Sequence, residues 1–160
     1  MVSEISIRPA TPEEAPLLSE LALRSKGHWG YDSNFLEACR TELTLSPDYI
    51  ADAPVFVLEE DGRVVAFYGL REQGDELDLT YLFVEPEATN RGYGKQLWEH
   101  MVETASGLGF QRISIESDPY AEAFYKRMGA RRVGVVNSSV QIGRQLPLLK
   151  YSLSQAVPAD

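Results

Sequence analysis

LDLTYLFVEPEATNRGYGKQLWEHM, residues 77–101, is the stretch from which the rest of the chain can be read. LDLTYLFV is a strand signal that ends before Pro86, a residue that cannot donate to a sheet ladder. A loop follows, then Gly92 and Gly94, then an amphipathic run. Leu97, Trp98, Met101, Val102, Ala105 and Leu108 recur at helical spacing, so a helix is expected over 95–108, ended by Gly107 and Gly109. The first amide N–H groups of a helix lack internal partners, and its dipole adds partial positive charge there. Glycines remove Cβ atoms and let a ligand approach the backbone. The stretch therefore reads as an anion site suited to a phosphate, with a purely structural glycine turn as the plain alternative. It is not a P-loop: Thr89 stands where the early glycine belongs, and Gln96 follows Gly94-Lys95. It is not a dinucleotide fingerprint either, because Leu97 occupies the third glycine position.

Outward from this stretch, VFVLEE (55–60) and RVVAFYGLRE (63–72) flank Asp61-Gly62, a strong hairpin turn. Ile5 and Ile7 alternate with polar neighbours in a short strand stopped by Pro9. Thr11 and Glu14 form a capping box with Pro12 at the first helical position, which predicts a helix to about Arg24. A second helix is expected over Ser33–Leu45, capped by Ser33 or Asp32, with Phe35, Leu36, Cys39 and Leu43 inward and Pro47 beyond its end. RISIE (112–116) is a strand, and AEAFYKRMGA (121–130) is a short helix with Gly129 at its end. RRVGVV (131–136) and LPLLKYSL (146–153) form a closing hairpin. The order is β-α-α-β-β-β-α-β-α-β-β: an α/β (α+β) fold with a mixed, mostly antiparallel sheet of about seven strands and about four helices. The strand–helix–strand step through 95–108 makes one parallel neighbour. Residues 1–154 read as a single domain and 155–160 as a loose tail.

The chain has 160 residues, enough for one domain with a real core. Lys plus Arg is 15 against 24 Asp plus Glu, a net charge of −9, which argues against a general nucleic-acid binder. The single cysteine, Cys39, excludes a disulfide framework and a multi-cysteine metal site. His28 and His100 share no metal-ligand spacing, so no metal is expected. No apolar run reaches a membrane span and the N-terminus carries no signal-peptide core, so a cytoplasmic protein without membrane contact is expected.

A second stretch, ESDPYAEAFYKRMGARRVG (116–134), places Phe124 and Tyr125 one turn into its helix. Both read as core aromatics, but the Tyr125 hydroxyl needs a partner if buried and can donate a proton if it lines a cleft. Together the two stretches resemble the GNAT superfamily of acetyl-CoA-dependent N-acetyltransferases. Thr89-Asn90-Arg91-Gly92-Tyr93-Gly94 matches the signature Gln/Arg-x-x-Gly-x-Gly/Ala at both glycine positions and departs at Thr89. Asp118-x-x-Ala121-x-x-Phe124-Tyr125-x-x-x-Gly129 resembles the second cofactor segment, with Asp118 where asparagine is common and Ala130 where phenylalanine usually follows the glycine.

The resemblance implies a splayed sheet whose fourth and fifth strands part to admit the pantetheine arm. It implies that Leu82, Phe83 and Val84 pair with pantetheine like an added strand. It implies that amides from Asn90 to Lys95 hold the pyrophosphate of acetyl-CoA, with help from the Arg91 and Lys95 cations. Tyr125 takes the position of the tyrosine that protonates the departing thiolate. Asp78 falls where histone-type members carry a catalytic glutamate; as the shorter acid it would work through a water, and a solvated strand residue is the plain alternative. An amide near Phe83 or Val84 would face the oxyanion.

The resemblance also implies that the loop between the first two helices and the closing hairpin wall the acceptor site. The first holds SKGHWGYD (25–32), where His28, Trp29 and Tyr31 crowd into four positions hinged by Gly27 and Gly30 and either staple the loop to the core or line a pocket. The second holds Arg144, which either clamps a carboxylate of the acceptor or is simply solvated. The implied reaction is acetyl transfer to an amine of a small molecule or peptide. A non-catalytic acyl-CoA-binding regulator and transfer of a larger acyl group are the alternatives. A homodimer stands among the assemblies the resemblance implies.

Overall fold

The structure is a computed structural model and describes residues 3–156. The order is β1 (Ile5–Pro9), α1 (Ala15–Gly27), α2 (Ser33–Leu43), α3 (Pro47–Asp52), β2 (Val55–Glu60), β3 (Arg63–Gln73), β4 (Glu76–Val84), α4 (Tyr93–Gly107), β5 (Arg112–Glu116), α5 (Glu122–Arg127), β6 (Arg131–Asn137) and β7 (Gln145–Ser152). Short 3-10 turns cover Pro12–Glu14, Pro86–Ala88 and Leu153–Ala156. The seven strands form one sheet in the order β1-β2-β3-β4-β5-β7-β6. The mixed sheet is as expected; among the described residues the α-helices number five where about four were expected.

The additional helix is α3. Ser46 caps it by accepting the Tyr49 N–H at 3.1 Å, and Pro47 occupies its first turn. The same proline that marks the end of α2 opens the next helix, a double use that the spacing of apolar residues alone does not reveal. The Thr11–Glu14 capping box forms, but it starts a 3-10 turn that leads into α1. Of the α4 stripe, Leu97, Trp98, Met101, Val102 and Ala105 are buried. Leu108 is 52 % exposed, contrary to expectation, because α4 ends at Gly107 and the chain turns away at Gly109 (φ +89°). Of the expected tail, residues 157–160 lie outside the described residues, while Gln155 and Ala156 complete the last 3-10 turn.

Contacts group the chain into two compact units, one running to Leu70 together with Tyr81–Leu97, the other formed by Arg71–Thr80 together with the chain from Trp98 onward. The first unit buries Leu18 and Leu21 of α1, Val57 and Leu58 of β2, and Ala66, Phe67 and Tyr68 of β3 without exposure. Its one obligatory close approach is at Gly69, where a Cβ would lie 2.6 Å from the Tyr49 hydroxyl. That hydroxyl donates to the Leu70 carbonyl at 2.8 Å and ties α3 to β3. The second unit is centred on Ile113, Ile115, Leu149, Tyr151, Trp98 and Met101.

The strand–helix–strand step through α4 is parallel, as expected: Leu77 pairs with Ile113 and Asp78 with Ser114. The recorded β4–β5 ladder ends at this second pair, although β4 runs on to Val84 and β5 to Glu116. β5 continues instead as an antiparallel partner of β7 over its whole length. β6 and β7 close the sheet as the expected hairpin.

Candidate active site

In the first unit, the end of β4 leads into a loop held by its own backbone. Glu85 N–H donates to Val65 O at 2.8 Å, Ala88 N–H to Glu85 O at 2.9 Å, and Thr89 Oγ1 to Pro86 O at 3.0 Å. The chain then turns through two left-handed residues, Asn90 (φ +65°) and Gly92 (φ +81°), before α4 begins at Tyr93. Asparagine tolerates that conformation and glycine adopts it freely. Gln96 N–H reaches Gly92 O at 3.1 Å. Among the described residues, the N–H groups of Asn90, Arg91, Gly92, Tyr93, Gly94 and Lys95 donate no hydrogen bond. A Cβ on Gly92 would meet nothing within 4 Å. Successive unengaged amides at a helix start, beside open space, are what an anionic diphosphate requires.

The side chains of this segment are directed elsewhere. Arg91 donates to Glu60 at 2.9 and 3.2 Å, and the Tyr93 hydroxyl donates to the same carboxylate at 2.6 Å. That tyrosine hydrogen bond, with the Arg91 charge, holds the Glu60 carboxyl below its usual range. Arg91 thus pins the loop to the end of β2, whereas Lys95 is exposed. Arg24 grips Glu85 through two hydrogen bonds, 3.0 and 2.7 Å, fixing the loop to α1. Sequence reasoning did not single out Glu60, Arg24 or Glu85; the Gly-containing motif shows the amides but not the long-range carboxylates that brace them.

In the second unit, Tyr125 is buried on α5, its ring 6.0 Å from Trp98 and 5.3 Å from Phe124. Phe124 is the less buried of the pair. Burial, and secondarily the Asp118 charge, push its pKa up, so it stays protonated and suits the role of an acid. Asp118 shapes the approach to α5: its Oδ1 accepts the Tyr120 N–H at 2.9 Å and its carbonyl accepts the Ala121 N–H at 2.9 Å.

Asp78 is half-buried on β4 and is not the freely solvated residue of the plain alternative. Thr80 Oγ1 donates to its Oδ2 at 3.2 Å. Burial pushes its carboxyl up, the Thr80 bond pulls it down, the Glu116 charge adds to the rise, and Arg71 and Lys150 offset it. The net rise makes Asp78 a better proton acceptor than an ordinary aspartate.

Register separates Asp78 from Tyr125. Asp78 lines up with Ser114 and Lys150, while Leu77 lines up with Ile113 and Tyr151. Neighbouring strand residues point to opposite faces. Tyr151 packs edge-on against Trp98 at 5.1 Å, and Trp98 against Tyr125. Asp78 therefore projects from the face of the sheet opposite the Trp98–Tyr125 cluster, at the last β4–β5 pair.

The expected acceptor residues are divided. His28 and Trp29 are exposed at the end of α1, with Trp29 at 42 %, so Trp29 does not staple the loop to the core. Tyr31 packs on Phe35 at 4.6 Å, and Lys26 Nζ lies 5.5 and 5.8 Å from these two rings. Gly27 is the last residue of α1 and not a hinge; Gly30 (φ +94°) makes the turn. These residues belong to the first unit and Arg144 to the second. Arg144 is not solvated: its guanidinium lies 3.8 Å from Asp118 Oδ2, with side chains 17 % and 13 % exposed. Among the described residues no cluster of His, Cys, Asp or Glu suits a metal ion, and no helix is long and apolar enough to cross a membrane.

Residues 21–130 match the model of the acetyltransferase (GNAT) family. The chain is 32% identical over 144 residues to the peptidyl-lysine N-acetyltransferase YiaC of Escherichia coli, covering 88% of this chain and 91% of the relative. It is 34% identical over 149 residues to the peptidyl-lysine N-acetyltransferase YjaB of Salmonella typhimurium, covering 91% and 95%. The crystal structure of the PaiA N-acetyltransferase of Thermoplasma acidophilum in complex with coenzyme A superposes with a TM-score of 0.76 at 19% identity, over 93% of this chain and 99% of that one. With a matched family model over most of its length and the same fold, the chain belongs to the GNAT family of acetyltransferases: it is an acyltransferase whose co-substrate is acetyl-CoA.

Proposed function

We propose that one domain, residues 1–154, transfers the acetyl group of acetyl-CoA to an amine of a small molecule or peptide by direct attack, without a covalent enzyme intermediate. The observation that carries this is the run of unengaged amides from Asn90 to Lys95. They hold the diphosphate, and the β4 backbone at Leu82–Val84, beyond the recorded β4–β5 pairs, takes the pantetheine arm as an added strand. Thr89, Arg91 and Tyr93 serve this grip by bracing the loop and Lys95 by its charge; in the second unit, Asp118, Ala121 and Phe124 make up the second cofactor segment that the family resemblance implies.

The acceptor amine arrives protonated, since an alkylammonium has a pKa of about 10.4. Asp78, through a water, takes its proton. The nitrogen lone pair attacks the thioester carbonyl carbon, with a β4 amide near Phe83 or Val84 facing the oxyanion. The carbon–sulfur bond breaks as Tyr125 gives its proton to the thiolate, the nitrogen loses its second proton to water to leave a neutral amide, and Tyr125 is reprotonated from solvent. Cys39 is buried and takes no part.

The acceptor we favour is a lysine side chain of a peptide. Two peptidyl-lysine N-acetyltransferases are among the relatives, and a net charge of −9 attracts cations. His28, Trp29 and Tyr31 would contact that acceptor. The reaction belongs in the cytoplasm, where the thioester donor is supplied, and involves neither nucleic acid nor membrane. Incubation with acetyl-CoA and a panel of lysine peptides, polyamines and amino acids, read as free thiol, tests this. Turnover with the peptides is expected. Tight donor binding with no turnover across the panel would instead favour an acyl-CoA-binding regulator, and a larger thermal shift with propionyl- or succinyl-CoA would move the donor to a longer chain.

A further inference from the structure

Within the first unit, the tip of the β2–β3 hairpin meets the loop that presents the Asn90–Lys95 amides at successive points. The β2–β3 register shifts after Leu58, so Val65 has no Cα partner on β2, and its carbonyl accepts the Glu85 N–H at 2.8 Å. Arg63 pairs with Glu87. Opposite Arg63 in the ladder, Glu60 takes Arg91 on both carboxylate oxygens at 2.9 and 3.2 Å and the Tyr93 hydroxyl at 2.6 Å. From Val65 back to Glu60 the hairpin thus follows the loop from Glu85 on to Tyr93.

These ties differ in strength. Arg63 and Glu87 are 64 % and 58 % exposed, so water screens their charges and the pair contributes little. The Glu60 side chain is only 15 % exposed and Tyr93 is buried, so the bonds to this carboxylate are of the strong, charge-assisted kind. The hairpin tip is itself anchored: Asp61 N–H donates to Glu4 O, and Asp61 Oδ1 accepts the Glu4 N–H, both at 2.9 Å. Asp61 (φ +53°) and Gly62 (φ +83°) supply the left-handed pair that a two-residue hairpin turn requires. None of these ties uses an N–H of residues 90–95 as donor. Amides kept open for a ligand cannot also hold the loop that carries them, so side chains must do so.

We infer that the β2–β3 hairpin tip is a splint for the donor site, with Glu60 as its positioning residue: by holding Arg91 and Tyr93 together, Glu60 keeps the amides of this segment aimed at the diphosphate of acetyl-CoA. This rests on the amide cradle proposed above. Arg91 then serves the donor through Glu60 and not as a phosphate ligand.

Calorimetry and steady-state kinetics on the whole protein, with acetyl-CoA and with S-acetylpantetheine, test it. Glu60→Ala should weaken acetyl-CoA binding by roughly tenfold, the loss of about one amide-to-phosphate hydrogen bond, with the effect falling on the acetyl-CoA KM and not on kcat. S-acetylpantetheine, which has no diphosphate, should bind both proteins alike. Glu60→Gln keeps an oxygen for the Tyr93 hydroxyl and should recover part of the affinity. In an Arg91→Ala, Tyr93→Phe background, Glu60→Ala should cause no further loss, since nothing remains for it to hold. Arg63→Ala should change the affinity by less than about threefold. Tighter acetyl-CoA binding by Glu60→Ala overturns the inference, because Glu60 would then only repel the donor or withhold Arg91 from it. An unchanged Kd, or an equal loss for S-acetylpantetheine, overturns it as well. If Glu60→Ala does not fold, Glu60→Gln and Tyr93→Phe carry the same comparison of the two donors. Gly92→Ala separates the two levels. No effect of that variant on acetyl-CoA binding defeats the amide cradle itself; a loss there beside an unaffected Glu60→Ala defeats this inference alone.

Discussion

Gly92→Ala isolates the donor grip from everything else in the protein. Gly92 sits at φ +81°, where an L-residue costs about 1–2 kcal/mol. A new Cβ would meet no protein atom within 4 Å, so no steric clash is added to that cost. The loop therefore either keeps its shape under strain or relaxes toward an ordinary φ, which re-aims the amides of Arg91, Gly92 and Tyr93. Hydrogen bonds from an amide to a charged oxygen contribute about 1.5–3 kcal/mol each. Losing one of them weakens acetyl-CoA binding by roughly tenfold to a hundredfold, at about 1.4 kcal/mol per decade. Calorimetry with acetyl-CoA measures this directly. S-acetylpantetheine, which lacks the diphosphate, provides the control: its affinity should be the same for both proteins. The thermal midpoint should fall by only a few degrees, roughly 2–4 °C per kcal/mol for a chain of this size. An unchanged acetyl-CoA Kd, or an equal loss for S-acetylpantetheine, would refute the assignment of these amides to the diphosphate.

Other substitutions probe the chemistry and the brace. Tyr125→Phe should lower kcat by about 10²–10⁴-fold and leave acetyl-CoA affinity nearly intact in calorimetry. Because the Asp78 carboxyl is raised by burial, the acid limb of kcat/KM should lie above the usual aspartate range, with activity lost as pH falls through it. Asp78→Asn should flatten that limb in a pH–rate profile. In the Arg24–Glu85 pair the arginine is half exposed and the carboxylate is buried (side chains 51 % and 7 %), so Arg24→Ala strands a buried charge, while Glu85→Gln releases the arginine to water. Arg24→Ala should cost about 2 kcal/mol and Glu85→Gln about 1 kcal/mol in denaturant titrations, the reverse order arguing against a stranded carboxylate.

Much of this protein was legible before any coordinates. β2 and β5 fall on VFVLEE and RISIE to the residue, because each alternates or runs apolar between clear turn signals. The parallel step and the closing hairpin followed from element order. Within the site, the motif residues pointed to the amides, since local glycine spacing is itself the physical cause of the helix start. The buried state of Tyr125 was open in the sequence, because an aromatic on a short helix suits core and cleft equally. Tertiary packing decided it, by setting Trp98 against it.

What sequence alone determined here is what depends on neighbours along the chain: strand and helix periodicity, the capping box at Thr11, and left-handed turns at glycines. What only the tertiary structure decided depends on residues distant in sequence. Register across β4, β5 and β7 put Asp78 and the Trp98–Tyr125 cluster on opposite faces of the sheet. Folding brought Glu60 to Arg91 and Tyr93, Glu85 to Arg24, and Asp118 to Arg144. The strength and role of a charge are set by its burial and its partner, and neither is written in local spacing.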